Sequence, residues 1–160
     1  TNDQWIQERT GIHERRWAVK GDGNSTFSMG LKAAEKAIKN ANIDKDDIDF
    51  IVFATLSPDY YFPGPGVQVQ EALGINTIGA LDVRNQCSGF VYGLSVADQF
   101  IKTGMYKNIL VIGSELQSQG IDISTRGRSI SVIFGDGAGA AILTREDDSN
   151  KGILLSLIHI

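Results

Sequence analysis

The chain has 160 residues, long enough for one domain with a hydrophobic core, and its net charge of −4 excludes the broad basic face that nucleic-acid binding needs. Apolar residues make up 42% of the chain, as in globular proteins, and no run of 18 apolar residues offers a membrane span. The single cysteine excludes an intrachain disulfide framework and suits a reducing cytoplasm. The polar start TNDQW is neither a methionine nor a signal segment, so we expect a piece of a longer protein.

The first half of the chain alternates between helical and strand patterns. Ser25 can cap a helix whose apolar positions step by three and four residues, at Phe27, Leu31, Ala34, Ile38 and Ala41. The segment Ile48–Leu56 is almost continuously apolar, which predicts a buried strand. The prolines and glycines of PDYYFPGPG predict a loop, which is followed by a short helix that ends at Gly74.

The second half continues the alternation. A predicted strand over Ile78–Val83 leads to a helix that begins near Ser88 and stops at Gly104, and NILVIGSE (Asn108–Glu115) predicts another buried strand. After the polar loop QGIDISTRGRS, we predict strands at ISVIF and AAILT on either side of the glycine-rich GDGAGA. Helices that alternate with apolar strands imply crossover connections. The predicted fold class is α/β, with a mainly parallel sheet in one domain.

The only cysteine, Cys87 in DVRNQCSGF, falls where a predicted strand gives way to a helix. The positive end of the helix dipole and the unpaired amides of a first turn favour a thiolate, and they can stabilise an oxyanion when that thiolate attacks a carbonyl. Ser88 and Gly89 are small and leave access to the sulfur. The stripe Gly89, Gly93 and Ala97 suits close packing against another helix, which predicts a central helix that starts at the floor of a pocket. The alternative is a buried, inert cysteine, and position alone leaves both open.

Three segments together, TNDQWIQERTGIHERR, DVRNQCSGF and FGDGAGAA, resemble the β-ketoacyl-acyl-carrier-protein synthase III family of the thiolase-like fold. The resemblance runs from Thr1 to about Gly152 and implies the N-terminal half of a duplicated core, with a mixed, mainly parallel sheet flanked by helices. It implies an acyltransferase of fatty-acid biosynthesis in which an acyl-CoA primer acylates a cysteine. Malonyl-acyl carrier protein then loses carbon dioxide and attacks the thioester. Cys87 matches this nucleophile, acyl-CoA is a substrate, and we expect no cofactor and no metal.

The same resemblance implies coenzyme A contacts in two segments. Trp5 and Arg9 match residues at the mouth of the CoA tunnel, and Thr1 is a further candidate. An indole four residues from a guanidinium offers a stacking surface beside a cation, and an adenine nucleotide needs both. In DISTRGRS, Arg126 resembles the family's second CoA-binding arginine, whereas Arg128 is interpreted as a solvated charge. The alternative for the first segment is an ordinary surface helix with a half-buried tryptophan.

The resemblance also implies a homodimer with a sheet continuous across the two copies. Phe62 matches an aromatic residue that closes the partner's acyl pocket, and its alternative is packing within its own subunit. We assign the apolar strand Asn108–Glu115 to this interface. FGDGAGAA is not a dinucleotide loop, because a strand pattern follows it. Its glycines predict a tight turn and close backbone approach near the active site. His13 lies where the family tolerates arginine, so it is not a catalytic candidate.

The sequence also departs from the family. The family's active site requires a histidine and an asparagine that stabilise the enolate, both in the second half of the duplicated fold. His159 lies too close to FGDGAGAA to be that histidine. The residues before Cys87, RNQ, replace the small residues of many members, which leaves open other acyl donors or other products. Two alternatives therefore remain: a thiolase-like acyltransferase that never decarboxylates malonate, and a non-catalytic half-domain that binds CoA or a partner chain.

We interpret the last six residues as encoded by a sequencing adapter and not by the native gene. LSLIHI, Leu155–Ile160, back-translates to CTGTCTCTTATACACATC, a common sequencing-adapter end. We predict that residues 1–154 form the N-terminal condensing-enzyme domain, truncated at both ends, and that residues 155–160 are a non-native tail. The alternative is a genuine apolar strand.

Overall fold

A four-stranded mixed sheet lies at the centre of the computed structural model, which describes residues 1–19, 21–148 and 151–153. In chain order its strands are β1 (Phe50–Ala54), β2 (Gly79–Val83), β3 (Asn108–Glu115) and β4 (Gly137–Thr144). Their order across the sheet is β2-β1-β3-β4. β1 runs parallel to β2 and to β3, whereas β4 is antiparallel to β3. The predicted α/β class with a mixed, mainly parallel sheet is confirmed. The predicted tail, 155–160, and His159 lie outside the described residues.

Helices cover both faces of this sheet. The α-helices in the described part of the chain are α1 (Asp3–Thr10), α2 (Thr26–Ala41), α3 (Pro65–Leu73), α4 (Gly89–Lys102) and α5 (Arg128–Ser131). Of these, α2 and α3 pack on one face of the sheet and α4 packs on the other. The predicted cap of α2 is confirmed, because the Ser25 hydroxyl accepts a hydrogen bond from the Ser28 amide. Gly74 ends α3 in the left-handed conformation, as predicted. None of the described helices combines the length and the apolar character needed to cross a lipid bilayer.

The core consists of two layers, one on each face of the sheet. On one face, Ile51 and Phe53 of β1 pack with Ala34 of α2 and Val69 of α3. On the opposite face, alternate residues of β1 and β3 form a second cluster with Ala97 of α4. All five residues of β1 are buried because both faces are covered, which explains its almost continuous apolar sequence.

The small-residue stripe of α4 packs against the sheet. A Cβ atom added to Gly93 would lie 3.3 Å from Val52 Cγ1 and 3.4 Å from Val111 Cγ1, and Ala97 is fully buried in the same layer. The expectation that this stripe contacts another helix is therefore wrong. The reason is that valine side chains of β1 and β3 project from the sheet and leave room only for small residues opposite them.

The segment after the polar loop also differs from its prediction. ISVIF, residues 130–134, is not a strand. It contains the end of α5, where the Gly127 carbonyl accepts from the amides of Ile130 and Ser131, and a turn in which the Ile130 carbonyl accepts from the Ile133 amide. β4 already begins at Gly137, so the last glycines of GDGAGA belong to a strand and not to a turn. Close backbone approach is confirmed at Gly135, where an added Cβ would lie 3.2 Å from the Arg16 carbonyl oxygen.

The position of β3 corrects one part of the assembly prediction. β3 pairs with β1 along one edge and with β4 along the other, so both of its edges are already hydrogen-bonded. A sheet can continue into a second copy only through an edge strand, and in the described sheet the edges are β2 and β4. Asn108–Glu115 therefore cannot be the strand that joins two copies. Its apolar sequence reflects a central position in the sheet.

Candidate active site

Cys87 lines a pocket of about 480 Å³ at one end of the sheet. The parallel strands β1 and β3 end there, and the antiparallel strand β4 begins there, so Ala54, Glu115 and Gly137 all contribute to its wall. Such a position, outside the carboxyl ends of parallel strands, is where α/β proteins commonly bind ligands. Cys87 is a free, exposed thiol and not the buried residue of the alternative interpretation. The predicted pocket at the start of this helix is confirmed.

The position of the thiol relative to α4 differs from the prediction by a small shift. α4 begins at Gly89 with Ser88 as its N-cap, so Cys87 lies in the turn that leads into the helix and not in the first helical turn. The Gly89 amide donates to the Gln86 carbonyl at 2.8 Å, so one amide near the thiol is already paired. The shift arises because this bond closes a turn over residues 86–89 that contains Cys87 and precedes the helix.

Asn85 stabilises the turn that carries the thiol. Its Oδ1 atom accepts from the Gln86 amide at 2.9 Å, and its Nδ2 atom donates to the Ser88 hydroxyl at 3.5 Å. Both Asn85 and Gln86 line the pocket beside Cys87. The unusual RNQ segment therefore has a structural role, because an asparagine side chain can pair with the backbone of its own turn.

Glu115, at the end of β3, is a pocket residue that the sequence analysis missed. Its carboxylate accepts from the Leu56 amide at 2.7 Å, from the Ser57 amide at 3.1 Å and from the Thr55 hydroxyl at 3.3 Å. It also accepts from Gln117 Nε2 at 3.2 Å. These bonds fix the turn after β1 against the end of β3. The sequence did contain a signal for this residue, because Glu115 is an acidic residue at the end of a predicted buried strand.

Asp136 of FGDGAGAA ties three segments together behind the pocket. Its carboxylate accepts from the Ala18 amide at 2.7 Å and from the Ser118 amide at 2.8 Å, while its own amide donates to the Arg16 carbonyl. Partial burial by itself would raise the pKa of Asp136, but hydrogen bonds from Ser118 and from the backbone amides of Ala18 and Gln117 outweigh it, and the pKa is lowered. Asp136 therefore holds its segment as a carboxylate.

The predicted pair on α1 is in contact. The guanidinium carbon of Arg9 lies 4.4 Å from the centre of the Trp5 ring, and Arg9 Nη1 donates to the Trp5 carbonyl at 3.5 Å. Asn2 caps this helix by accepting from the Trp5 amide. The indole is only partly covered by its neighbours, since 37% of Trp5 is exposed. The geometry leaves ring surface available to a ligand.

A second pocket of about 410 Å³ brings Trp5 together with Thr1, Asn2 and Arg128. Arg126 does not line this pocket. Its guanidinium pairs with Asp122 at 2.9 Å, and 90% of its side chain is exposed. The structure therefore places Arg128, which the sequence analysis interpreted as a solvated charge, beside the aromatic residue. Arg126 precedes α5 and Arg128 is its first residue, and which of the two lines the pocket depends on tertiary packing that the local sequence does not encode.

Phe62 projects into solvent from the loop between β1 and α3. It is 92% exposed, so it does not pack against its own subunit. The loop itself is held at two points. Tyr61 lies under the Arg84 guanidinium at 4.8 Å, and just after the loop the Gly66 amide in the first turn of α3 donates to Asp82 Oδ1 at 2.9 Å. The predicted non-catalytic residue, His13, is exposed and does not line the thiol pocket.

Comparisons with known proteins agree with this geometry. A family model for 3-oxoacyl-[acyl-carrier-protein (ACP)] synthase III matches residues 81–159. Beta-ketoacyl-[acyl-carrier-protein] synthase III of Aliivibrio fischeri is 48% identical over 159 residues, which are 99% of this chain and 48% of that protein. The crystal structure of 3-oxoacyl-[acyl-carrier-protein] synthase III from Aquifex aeolicus VF5 has a TM-score of 0.86 at 44% identity and covers 92% of this chain and 46% of that one.

A third likeness is to the priming beta-ketosynthase from the R1128 polyketide biosynthetic pathway, with a TM-score of 0.84, 33% identity, and coverage of 92% of this chain and 43% of that one. The chain thus spans about half the length of the curated relatives it matches. These identities extend over nearly the whole chain, and its fold matches that of solved relatives. The chain therefore belongs to the β-ketoacyl-acyl-carrier-protein synthase III family of thiolase-like condensing enzymes.

Proposed function

We propose that the complete protein is a β-ketoacyl-acyl-carrier-protein synthase III that starts fatty-acid chains. In this proposal it transfers an acyl group from acyl-CoA to Cys87 and joins that group to malonyl-acyl carrier protein. The observation that carries the proposal is the exposed Cys87 thiol in a pocket at the carboxyl ends of β1 and β3. The family membership of the chain supplies the reaction class.

The chemistry consists of two acyl transfers. The Cys87 thiolate attacks the thioester carbonyl of acyl-CoA, a tetrahedral intermediate forms, and CoA leaves as a thiolate. Malonyl-acyl carrier protein then loses carbon dioxide, and the resulting enolate carbon attacks the acyl-cysteine carbonyl. The Cys87 thiolate is released and takes up a proton. The products are a β-ketoacyl-carrier protein, free CoA and carbon dioxide.

Decarboxylation needs groups that stabilise the enolate. No histidine lines the thiol pocket among the residues that the structure describes. We propose that a histidine and an asparagine from the second half of the duplicated fold complete this pocket. In this proposal the described half presents the thiol, shapes the acyl pocket and binds CoA.

For CoA we propose the pocket formed by Thr1, Trp5 and Arg128, with Arg9 beside it. An adenine ring stacks on an indole, and a guanidinium binds phosphate oxygens in a bidentate manner. The support is the juxtaposition of an aromatic face and an arginine around about 410 Å³ of space. Arg126 is a weaker candidate, because it does not line this pocket and its guanidinium pairs with Asp122.

We propose a homodimer that forms through the β2 edge of the sheet. β2 is an edge strand, and Leu81 on it is partly exposed. Phe62 projects from the loop that leads into α3, and the first turn of α3 is hydrogen-bonded to the β2 residue Asp82. A second copy could cover these apolar side chains and continue the sheet. We also propose the cytoplasm as the location, because a reducing compartment keeps an exposed thiol such as Cys87 free.

The test is direct detection of the acyl-enzyme. The complete protein is incubated with acetyl-CoA and analysed by intact-mass and peptide mass spectrometry, and malonyl-acyl carrier protein is then added. We expect one acetyl group on the peptide that contains Cys87, and its loss with formation of acetoacetyl-carrier protein. A protein that binds CoA but carries no acyl group on Cys87 would refute the enzyme and favour a binding role. An acyl-enzyme that never condenses would favour a simple acyltransferase.

A further inference from the structure

Residues 122–127 form a closed turn that leads directly into α5. Asp122 Oδ1 accepts from the Ser124 amide at 2.9 Å, and the Gly127 amide donates to the Ser124 carbonyl at 3.1 Å. An aspartate that accepts from the amide two residues further on is a typical turn former. These bonds bring the two ends of the turn, Asp122 and Gly127, close together.

Gly127 packs on Asp122 so closely that only glycine fits at this position. A Cβ atom added to Gly127 would overlap the Asp122 carbonyl oxygen and lie 2.7 Å from Asp122 Cβ. The obstacle is backbone, which cannot move aside as the end of a flexible side chain can. The φ of Gly127 is −82°, which any residue adopts, so the requirement for glycine comes from lack of space and not from backbone conformation.

The Arg126 guanidinium adds an ion pair to the same turn. Its Nε and Nη2 atoms both donate to Asp122 Oδ2 at 2.9 Å. Hydrogen bonds from Ser124 and from Arg126 lower the pKa of Asp122, so this residue is a carboxylate at neutral pH. An exposed ion pair contributes little by itself, so the close packing of Gly127 is the main constraint on the turn.

The turn determines where α5 begins. The Gly127 carbonyl accepts from the Ile130 and Ser131 amides, and these bonds start the single helical turn of α5. Arg128 is the first residue of α5, and it shares the 410 Å³ pocket with Trp5. A change in the position of Gly127 therefore moves the start of α5 and, with it, Arg128.

We propose that Gly127 is a positioning residue for CoA binding: its close packing on Asp122 fixes the 122–127 turn and so holds Arg128 beside Trp5. Arg126 then acts on the turn through Asp122, whereas Arg128 acts on the ligand. The part of CoA concerned is the nucleotide, because a guanidinium binds phosphate oxygens. The inference rests on the proposed CoA pocket and specifies what positions its arginine.

The test compares Gly127→Ala with Gly120→Ala in the complete protein. Gly120 belongs to the same loop, but a Cβ added to it would have no atom of the described residues within 4 Å. Isothermal titration calorimetry measures the dissociation constant of CoA. We expect Gly127→Ala to raise it about tenfold, as the loss of Arg128 should, and Gly120→Ala to leave it unchanged. Gly127→Ala combined with Arg128→Ala should bind no more weakly than Arg128→Ala alone, because both changes remove one contact.

A second substrate separates positioning from a general disturbance of the thiol pocket. Acetyl-pantetheine carries the same thioester as acetyl-CoA but lacks the nucleotide. In Gly127→Ala we expect the KM for acetyl-CoA in the acylation of Cys87 to rise about tenfold with kcat unchanged, the pattern of lost binding. The rate with acetyl-pantetheine should equal that of the wild type. A fall in both rates would mean that the turn supports the thiol pocket, and it would overturn the inference.

Asp122→Ala provides a milder variant in case Gly127→Ala fails to fold. It removes the side-chain bonds of the turn but leaves Gly127 its space, so CoA affinity should fall only about threefold. This loss should also disappear in the Arg128→Ala background. Unchanged CoA affinity in Gly127→Ala, or losses that add to that of Arg128→Ala, would overturn the inference. If Arg128→Ala itself binds CoA as tightly as the wild type, the proposed CoA pocket fails, and that result is distinct from the others.

Discussion

The Arg9 guanidinium lies 4.4 Å from the centre of the Trp5 ring, one helical turn away on α1. Residues four apart share one side of a helix, so the helix itself brings the cation to the indole. This contact orients the ring at the margin of the pocket that also contains Thr1 and Arg128. The pair thus contributes to a binding surface through a local interaction that requires no other element.

Replacement of Trp5 should weaken CoA binding. Trp5→Ala removes the stacking surface, and we expect the dissociation constant of CoA to rise about tenfold, in line with the energies of aromatic stacking. Isothermal titration calorimetry on the complete protein measures this. Trp5→Phe keeps an aromatic face and should retain most of the affinity. Equal affinity of Trp5→Ala and the wild type would remove Trp5 from the CoA site.

Arg126 and Arg128 should differ in their effect on CoA affinity. Arg128→Ala removes a charge from the Trp5 pocket, whereas Arg126→Ala removes one that already pairs with Asp122. We expect the larger loss for Arg128→Ala, by about tenfold, with a dependence on salt because phosphate binding by arginine is electrostatic. Titrations at two ionic strengths test this. A larger loss for Arg126→Ala would reverse the assignment.

Cys87→Ser should abolish acylation by acyl-CoA, since a serine hydroxyl ionises far less readily than a thiol. The measurement is the acyl mass increment on the peptide that contains residue 87. Cys87→Ala should also stop condensation, yet it should retain malonyl decarboxylation, because the groups proposed for that step lie elsewhere. Decarboxylation is followed by carbon dioxide release. A Cys87→Ser protein that still becomes acylated at residue 87 would contradict the proposed role.

Asp136 should make stability depend on pH at the acidic end. Its folded-state pKa is lowered, so its contribution is fully present above the ordinary carboxyl range and is lost as the pH falls from that range through the lower folded value. At pH 7, Asp136→Asn should lower the free energy of unfolding by about 1–3 kcal/mol. The Ala18 and Ser118 amides donate to different oxygens of Asp136, and an asparagine side chain has only one oxygen to accept them. Urea unfolding measures this.

The free energy of unfolding of Asp136→Asn should approach that of the wild type as the pH drops below the ordinary carboxyl range. The matched control is Asp147→Asn, because the Asp147 side chain is 89% exposed and pairs only with a neighbouring surface arginine in the described structure. This control should change stability little at any pH. A constant difference for Asp136→Asn across the acidic range would contradict the linkage.

Phe62 should matter for assembly and not for the stability of one subunit. Its side chain is almost fully exposed, so Phe62→Ala removes no intrachain packing. In the complete protein we expect the dimer dissociation constant to rise by at least about tenfold, because an exposed aromatic residue of this kind anchors an interface. Size-exclusion chromatography with light scattering measures this. Met105→Ala, at another exposed apolar residue, is the control, and a wild-type monomer at micromolar concentration would refute the dimer.

Much of the local structure could be read from the sequence because its causes are local. The Ser25 cap, the end of α3 at Gly74 and the buried strands β1 and β3 each follow from neighbouring residues or from a short apolar run. The position of Cys87 between a strand and a helix could also be predicted from the neighbouring residues. The family resemblance was also present in three short motifs, and the comparisons confirm it.

Other features depended on long-range contacts because their partners are distant in the chain. ISVIF has a strand-like composition, yet β4 occupies the place beside β3, and the segment closes into a helical turn. The edge role of β2 and the choice of Arg128 over Arg126 follow from sheet order and tertiary packing. Local sequence thus specified most of the elements, the thiol and the family, while packing between distant segments decided which side chains share pockets with Cys87 and Trp5.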